Sequence, residues 1–195
     1  GNHMDALAKL STVVFDKTGT LTHGSFEVEA VHPETIDEKE LLHLAAHVER
    51  FSTHPIAVAL RNAYPNEADS CVVTDTKEIA GQGITAVING KTVSVGNDKM
   101  MATLGIKPHA CKLCVHHTGT TVHVAIDGQY AGHILIADQL KDDARKAIEQ
   151  LKRLGVQRTV MLTGDRDEAA RQVAEQTGVT EYHAELLPAD KVSHV

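Results

Sequence analysis

The sequence predicts an α/β protein in which one strand–loop–helix domain is split by an inserted α+β domain with an antiparallel sheet. Three observations predict it. The short apolar run Thr12-Val13-Val14-Phe15 ends at Asp16 and opens into a Thr/Gly-rich turn, the pattern of a buried strand with a functional loop at its carboxyl end. From Cys71 the periodicity becomes that of strands, and Asn89-Gly90 and Asp127-Gly128 mark two hairpins, because such dipeptides supply the positive φ angles of two-residue turns. After about Ala131 the alternation of strand and helix returns.

The elements follow in order. Leu41, Leu42, Leu44, Ala45 and Val48 recur at helical spacing within 37–50, and Pro55 opens a second helix over 56–63 that ends at the breaker Tyr64-Pro65-Asn66. Residues 84–88 and 91–95 flank the Asn-Gly turn, and a short helix follows near 99–104. Val122, Val124 and Ile126 alternate up to the second turn. Leu140, Ala144, Ala147, Ile148, Leu151 and Leu154 form one helical face closed by Gly155. Thr159-Val160-Met161-Leu162 reads as a buried strand running into Thr163-Gly164-Asp165, and a last helix covers 167–176 before Gly178. The expected divisions are a cloning scar at 1–4, a first domain at 5–32 and 130–195, and the inserted domain at 33–129.

Composition narrows the function. With 19 Lys+Arg against 26 Asp+Glu, the formal charge of -7 argues against nucleic acid as a partner, since phosphate tracking needs excess positive charge. Apolar stretches such as Ile134-Leu135-Ile136-Ala137 are strand-sized, too short to span a bilayer. Three cysteines in 195 residues do not build a disulfide framework, and a reducing, cytosolic setting fits them. Gly1-Asn2-His3-Met4 reads as a protease scar and cloning methionine, and the abrupt stop at Lys191-Val192-Ser193-His194-Val195 reads as an opening helix cut from a longer protein.

Asp16-Lys17-Thr18-Gly19-Thr20-Leu21-Thr22 carries the chemistry. An aspartate at the end of a buried strand, followed by small residues with free backbone N–H groups, can attack a phosphoryl group and have its charge cradled. Asp-x-Thr-Gly also occurs in ordinary β-turns, but seven consecutive positions behind an apolar strand leave that reading little room. A second feature is His109, Cys111, Cys114, His116 and His117 within nine positions. Cys-x-x-Cys with nearby histidines has zinc-ligand character, against the alternative of a helix end with small apolar cysteines and solvated histidines.

The seven residues from Asp16 to Thr22 resemble the phosphorylation motif of P-type ATPases. The resemblance continues in Thr163-Gly164-Asp165, which matches a second phosphate-binding loop, and in Pro188-Ala189-Asp190-Lys191. In the middle, Ser52-Thr53-His54-Pro55, Gly81-Gln82-Gly83 and Gly96-Asn97 resemble the His-Pro, Gly-x-Gly and Gly-Asn signatures of the heavy-metal (type IB) branch, and Glu49 precedes His54 at that branch's spacing.

This resemblance implies a haloacid dehalogenase-like (Rossmann-like) phosphorylation domain split by a nucleotide-binding domain at 33–129. It implies a P-type ATPase driven by ATP with Mg²⁺. Asp16 would be the nucleophile and, with Thr18, a Mg²⁺ ligand. Lys17, Thr18, Thr163, Gly164, Asp165 and Lys191 would serve the phosphoryl group, while Glu49, His54, Gly81, Gly83, Gly96 and Asn97 would form the nucleotide site. Gly81 and Gly83 would let the backbone approach base or phosphate.

The chain stops before the family's Gly-Asp-Gly-x-Asn-Asp segment, whose first aspartate is a Mg²⁺ ligand, and lacks the membrane helices. The expectation is therefore a weakly active or inactive portion at the cytoplasmic face of a membrane, working with transmembrane and actuator domains of the same parent chain. Likeness to zinc, cadmium and lead exporters exceeds that to copper exporters. A copper-transporting P-type ATPase and a soluble haloacid dehalogenase-like phosphatase are the other readings; such phosphatases usually carry an acid two places after the nucleophile, where this chain has Thr18.

Overall fold

The computed structural model describes residues 11–64, 70–109, 111–114 and 119–193. Strands β1 (Thr12–Asp16) and β2 (Thr22–Pro33) lead to helices α1 (Glu38–Val48) and α2 (Pro55–Ala63). Strands β3 (Val73–Ile79), β4 (Gly83–Ile88) and β5 (Lys91–Gly96) precede α3 (Asp98–Thr103). A 3₁₀ turn at Lys112–Cys114 comes before β6 (Thr120–Ile126) and β7 (Gln129–Leu140). Then follow α4 (Ala144–Arg153), β8 (Arg158–Leu162), α5 (Asp167–Thr177), β9 (Glu181–His183) and α6 (Pro188–Val192).

Two compact units result, one running to Ser25 and resuming at Asp138, the other lying between Phe26 and Ala137. The long strands β2 and β7 cross this division. In the first unit β1, β8 and β9 form a parallel sheet in the order β1-β8-β9, with Asp16 opposite Leu162 and Leu162 opposite His183. Parallel pairing in register brings the loops after all three strands to one carboxyl edge, where open α/β sheets bind ligands. Phe15, Met161, Ile148, Ala170 and Val173 form the core behind that edge.

The second unit is built on an antiparallel sheet in the order β2-β7-β6-β5-β4-β3. Leu41, Leu44 and Val48 of α1 and Leu60 of α2 pack on Ile84, Val93, Val95, Val124 and Ile134. Each fully buried aliphatic side chain is worth about 1.5–3 kcal/mol. Met100, Met101, Ala125 and Tyr130 form a separate cluster. Asp37 caps α1 by accepting from the Glu40 N–H at 2.9 Å, and Pro55 stands in the first turn of α2. Both predicted hairpin turns form: Asn89 and Gly90, and Asp127 and Gly128, all have positive φ.

Two elements depart from expectation. Leu140 completes β7 rather than opening a helix, because the Lys141 N–H is drawn to the Leu21 carbonyl at 2.9 Å and α4 begins only at Ala144. Strand β2 was not anticipated as an element; its glutamates Glu27 and Glu29 interrupt the apolar positions Phe26 and Val28. Pro65 and Asn66, part of the expected breaker, lie outside the described residues, as do residues 1–10 and His194 and Val195.

Candidate functional site

The loop after β1 turns sharply because Gly19 takes a φ of +75°, and the Asp16 carboxylate accepts from the Thr18 N–H at 3.2 Å. Lys191, brought in by α6, places its Nζ 3.0 and 3.2 Å from the two Asp16 oxygens. The Asp16 side chain remains 47% exposed, so an incoming group can reach it. Lys17 is buried and ion-paired with Asp165, which ties the first loop to the second. Thr163 is buried; its hydroxyl accepts from the Asp165 N–H at 3.1 Å and keeps a proton to donate. Gly164 lies close under the chain, where an added Cβ would stand 3.2 Å from the Leu186 carbonyl oxygen. All seven residues expected here therefore converge on one edge of the sheet, with Lys17 and Asp165 committed to each other.

Sequence reasoning missed Asp138. Its carboxylate accepts from the buried Thr22 hydroxyl at 2.6 Å and from the Gly24 N–H at 3.0 Å, which anchors the exit of the Asp16 loop. The available signal was an acid directly after the apolar run ending at Ala137.

In the second unit a cavity of about 310 Å³ is lined by Glu49, His54, Gly81, Gly83, Gly96 and Asn97, together with Ile79 and Thr121. All six expected residues thus share one concavity, of the size small-molecule sites occupy. Burial at the end of α1 pushes the Glu49 carboxyl up to about 7, offset by a Ser52 hydrogen bond and by Arg61. Arg61 holds this corner by donating to the Glu49 and Ser52 carbonyls, both at 2.7 Å. His54 caps α2, its Nδ1 accepting from the Ile56 N–H at 3.2 Å, which leaves its Nε2 edge directed elsewhere. Asn97 caps α3 and donates to the Gly81 carbonyl at 2.9 Å.

The glycines divide. Gly81 (φ +70°) has open space where a Cβ would go, as a ligand-facing position requires. Gly83 and Gly96 pair across β4 and β5, and a Cβ on Gly83 would stand 2.1 Å from the Val95 carbonyl oxygen. Close packing of strand on strand explains Gly83 without a ligand.

The cysteine-histidine cluster is only partly as expected. His109 turns to Glu34, with Nδ1 2.8 Å from its carboxylate, and His116 and His117 lie outside the described residues. Cys111 and Cys114 instead face His32 and His133, from β2 and β7.

Comparison with known proteins bears on both units. The family described as "Hydrolase: haloacid dehalogenase-like hydrolase" matches residues 10–193. The zinc-transporting ATPase of Synechocystis sp. is 48% identical over 193 residues, covering 98% of this chain and 26% of that protein. The cadmium, zinc and cobalt-transporting ATPase of Bacillus subtilis is 45% identical, covering 100% of this chain and 27% of that protein. A copper-exporting P-type ATPase of Staphylococcus haemolyticus is 36% identical, over 100% of this chain and 24% of that one. This chain spans about a quarter of the length of these relatives. Among solved structures, a zinc-transporting PIB-type ATPase in its E2.Pi state superposes with a TM-score of 0.78 at 38% identity, covering 98% of this chain and 32% of that one. The catalytic domain of the CPx-ATPase CopB-B gives 0.72 at 27% identity, over 100% and 68%. No described helix is long and apolar enough to cross a membrane. The match from residue 10 to residue 193 shows that the chain belongs to the haloacid dehalogenase-like hydrolase family, with zinc- and cadmium-transporting type IB P-type ATPases among its near relatives.

Proposed function

We propose that this chain is the ATP-binding and phosphorylation region of a heavy-metal-exporting P-type ATPase, in which ATP phosphorylates Asp16 to drive export of a divalent ion such as zinc, cadmium or lead. The observation that carries this reading is the Asp16 carboxylate, reachable from solvent yet held by Lys191 and the Thr18 N–H at the carboxyl edge of a parallel sheet. An Asp16 oxygen attacks the terminal phosphorus, the bond to the ADP oxygen breaks, and the acyl phosphate remains on the protein. Lys191, the Thr18 and Thr163 hydroxyls and the Gly164 N–H would meet the charge that develops on the transferring oxygens. Thr18 stands where a general acid would be needed for rapid hydrolysis, which favours a phosphoenzyme that persists over a soluble phosphatase.

The oxygen donors of Asp16 and Thr18 suit Mg²⁺, a hard cation that would neutralise phosphate charge there. The cavity of the second unit takes the nucleotide, with Glu49 accepting from the adenine amino group and His54 stacking on the ring. The working protein would include transmembrane and actuator domains, with this region at the cytoplasmic face. The higher identity to zinc and cadmium transporters than to a copper exporter supports a zinc-class cargo.

The nucleotide assignment is tested by titrating ADP into ¹⁵N-labelled chain. Shifts are expected at Glu49, His54, Gly81, Gly83 and Asn97. Shifts clustered only around Asp16 would overturn the assignment of the cavity.

A further inference from the structure

Cys111, Cys114, His32 and His133 each offer one donor atom, and these atoms all lie within 4.8 Å of one another. They come from three places in the chain: the 3₁₀ turn before β6, strand β2 and strand β7. Gly132 permits the approach of the two strands. Its φ of +144° leaves room for the His32 carbonyl where a Cβ would stand only 2.4 Å from that oxygen. The His32 and His133 rings stack with centroids 5.0 Å apart, and the Cys114 Sγ lies 3.1 Å from His133 Nε2. Both cysteines are free thiols.

In a tetrahedral site with Zn–S near 2.3 Å and Zn–N near 2.0–2.1 Å, neighbouring donors stand roughly 3.3–3.8 Å apart. A pair at the 4.8 Å limit therefore needs to close by about 1–1.5 Å, whereas Cys114 Sγ and His133 Nε2, at 3.1 Å, need to open slightly. Two thiolates with two imidazoles suit Zn²⁺ and its heavier congener Cd²⁺ and disfavour Mg²⁺ or Ca²⁺, which take oxygen. A cavity of about 290 Å³, lined in part by Cys111, Cys114 and His133, gives an ion access.

Partners outside the cluster set the histidine for ligation. The exposed Asp98 carboxylate can only accept, so His123 Nε2, 2.9 Å away, donates to it. His123 Nδ1 then accepts from the Tyr130 hydroxyl at 2.7 Å, and the Tyr130 oxygen accepts from His133 Nδ1–H at 3.3 Å. This chain of bonds fixes the proton of His133 on Nδ1 and leaves the Nε2 lone pair directed at Cys114. Such outer hydrogen bonds orient metal-bound histidines.

We propose that His32, Cys111, Cys114 and His133 bind a Zn²⁺-class ion, fastening the turn before β6 to the sheet of the second unit.

The test uses the reduced, metal-free chain titrated with Co²⁺ as a spectroscopic probe, followed by Zn²⁺. One tetrahedral Co²⁺ per chain is expected, with a charge-transfer band for two thiolates that Zn²⁺ abolishes. Cys111→Ser with Cys114→Ser should remove the band and weaken Zn²⁺ binding at least about 100-fold. Cys71→Ser, which alters the other group of possible ligands (His43, His47 and Cys71), should leave the band intact, as should His116→Asn with His117→Asn. In the unmutated chain, Zn²⁺ should protect Cys111 and Cys114 from alkylation, a readout that does not depend on the variants folding. A thiolate-free octahedral spectrum, a band lost with Cys71→Ser or the histidine pair, or alkylation unaffected by Zn²⁺ would overturn the proposal.

Discussion

Replacing Glu49 by Gln should stabilise the second unit at alkaline pH while weakening nucleotide binding. Glu49 is 8% exposed, and burial raises its carboxyl from the ordinary 4.5 to about 7. Because the folded value lies above the unfolded one, the favourable contribution is complete below about pH 4.5. It falls as pH rises and is lost once the pH passes about 7. At ~1.36 kcal/mol per pH unit, this difference makes the ionised form costlier by at most ~3 kcal/mol. Glutamine keeps the shape and the acceptor but has no charge to desolvate.

The assay is urea unfolding of wild type and Glu49→Gln at pH 5 and pH 8.5. The 13 histidines and the other ionisable groups are common to both proteins, so only the difference between the two isolates Glu49. A lead for the variant of about 1 kcal/mol or less is expected at pH 5, growing to ~3 kcal/mol at pH 8.5. ADP should bind the variant more weakly at the higher pH, where ionised Glu49 is the stronger acceptor for an amino group. Parallel pH–stability curves for the two proteins would refute the reasoning.

Three further outcomes follow from the geometry. Asp138→Ala should cost about 1–3 kcal/mol by depriving the Gly24 N–H and the Thr22 hydroxyl of their acceptor. The effect belongs toward the lower end, since Thr22 can turn to the Lys17 carbonyl at 3.3 Å; an unchanged urea midpoint would contradict it. Gly83→Ala drives a Cβ onto the β5 backbone and should cost about 3 kcal/mol or more, read by thermal unfolding. Gly81→Ala meets only the positive-φ strain of about 1–2 kcal/mol, so the reverse ranking would show that Gly83 is not a packing glycine.

What the sequence made legible was local. From Asp16 to Thr22 the strand, the turn and the nucleophile are consecutive, and the two hairpins are announced by dipeptides that accept positive φ. Glu49, His54, Gly81 and Asn97 could be grouped through their resemblance to a known series of motifs. Pairings made by the sheet were not legible: Asp138 reaches Thr22 across 116 positions, and His32 and His133 meet Cys111 only through the β2–β7 contact. Around Cys111 and Cys114 the sequence offers only neighbouring histidines, whereas the donors that meet them come from adjacent strands. Gly83 adds a different case. It lines the cavity as expected, and the Val95 carbonyl beside it gives a packing reason for glycine that the sequence did not display.

The central claim is that Asp16 accepts the phosphoryl group, and covalent labelling tests it most directly. The protein to use is the full-length protein carrying this chain, given ATP labelled on its terminal phosphate, quenched in acid and compared with its Asp16→Asn variant. The amide keeps the shape of the carboxylate but loses its charge and nucleophilicity. The account predicts an acid-stable, hydroxylamine-sensitive label in the unmutated protein and none in the variant. Label of that kind persisting in Asp16→Asn would contradict it.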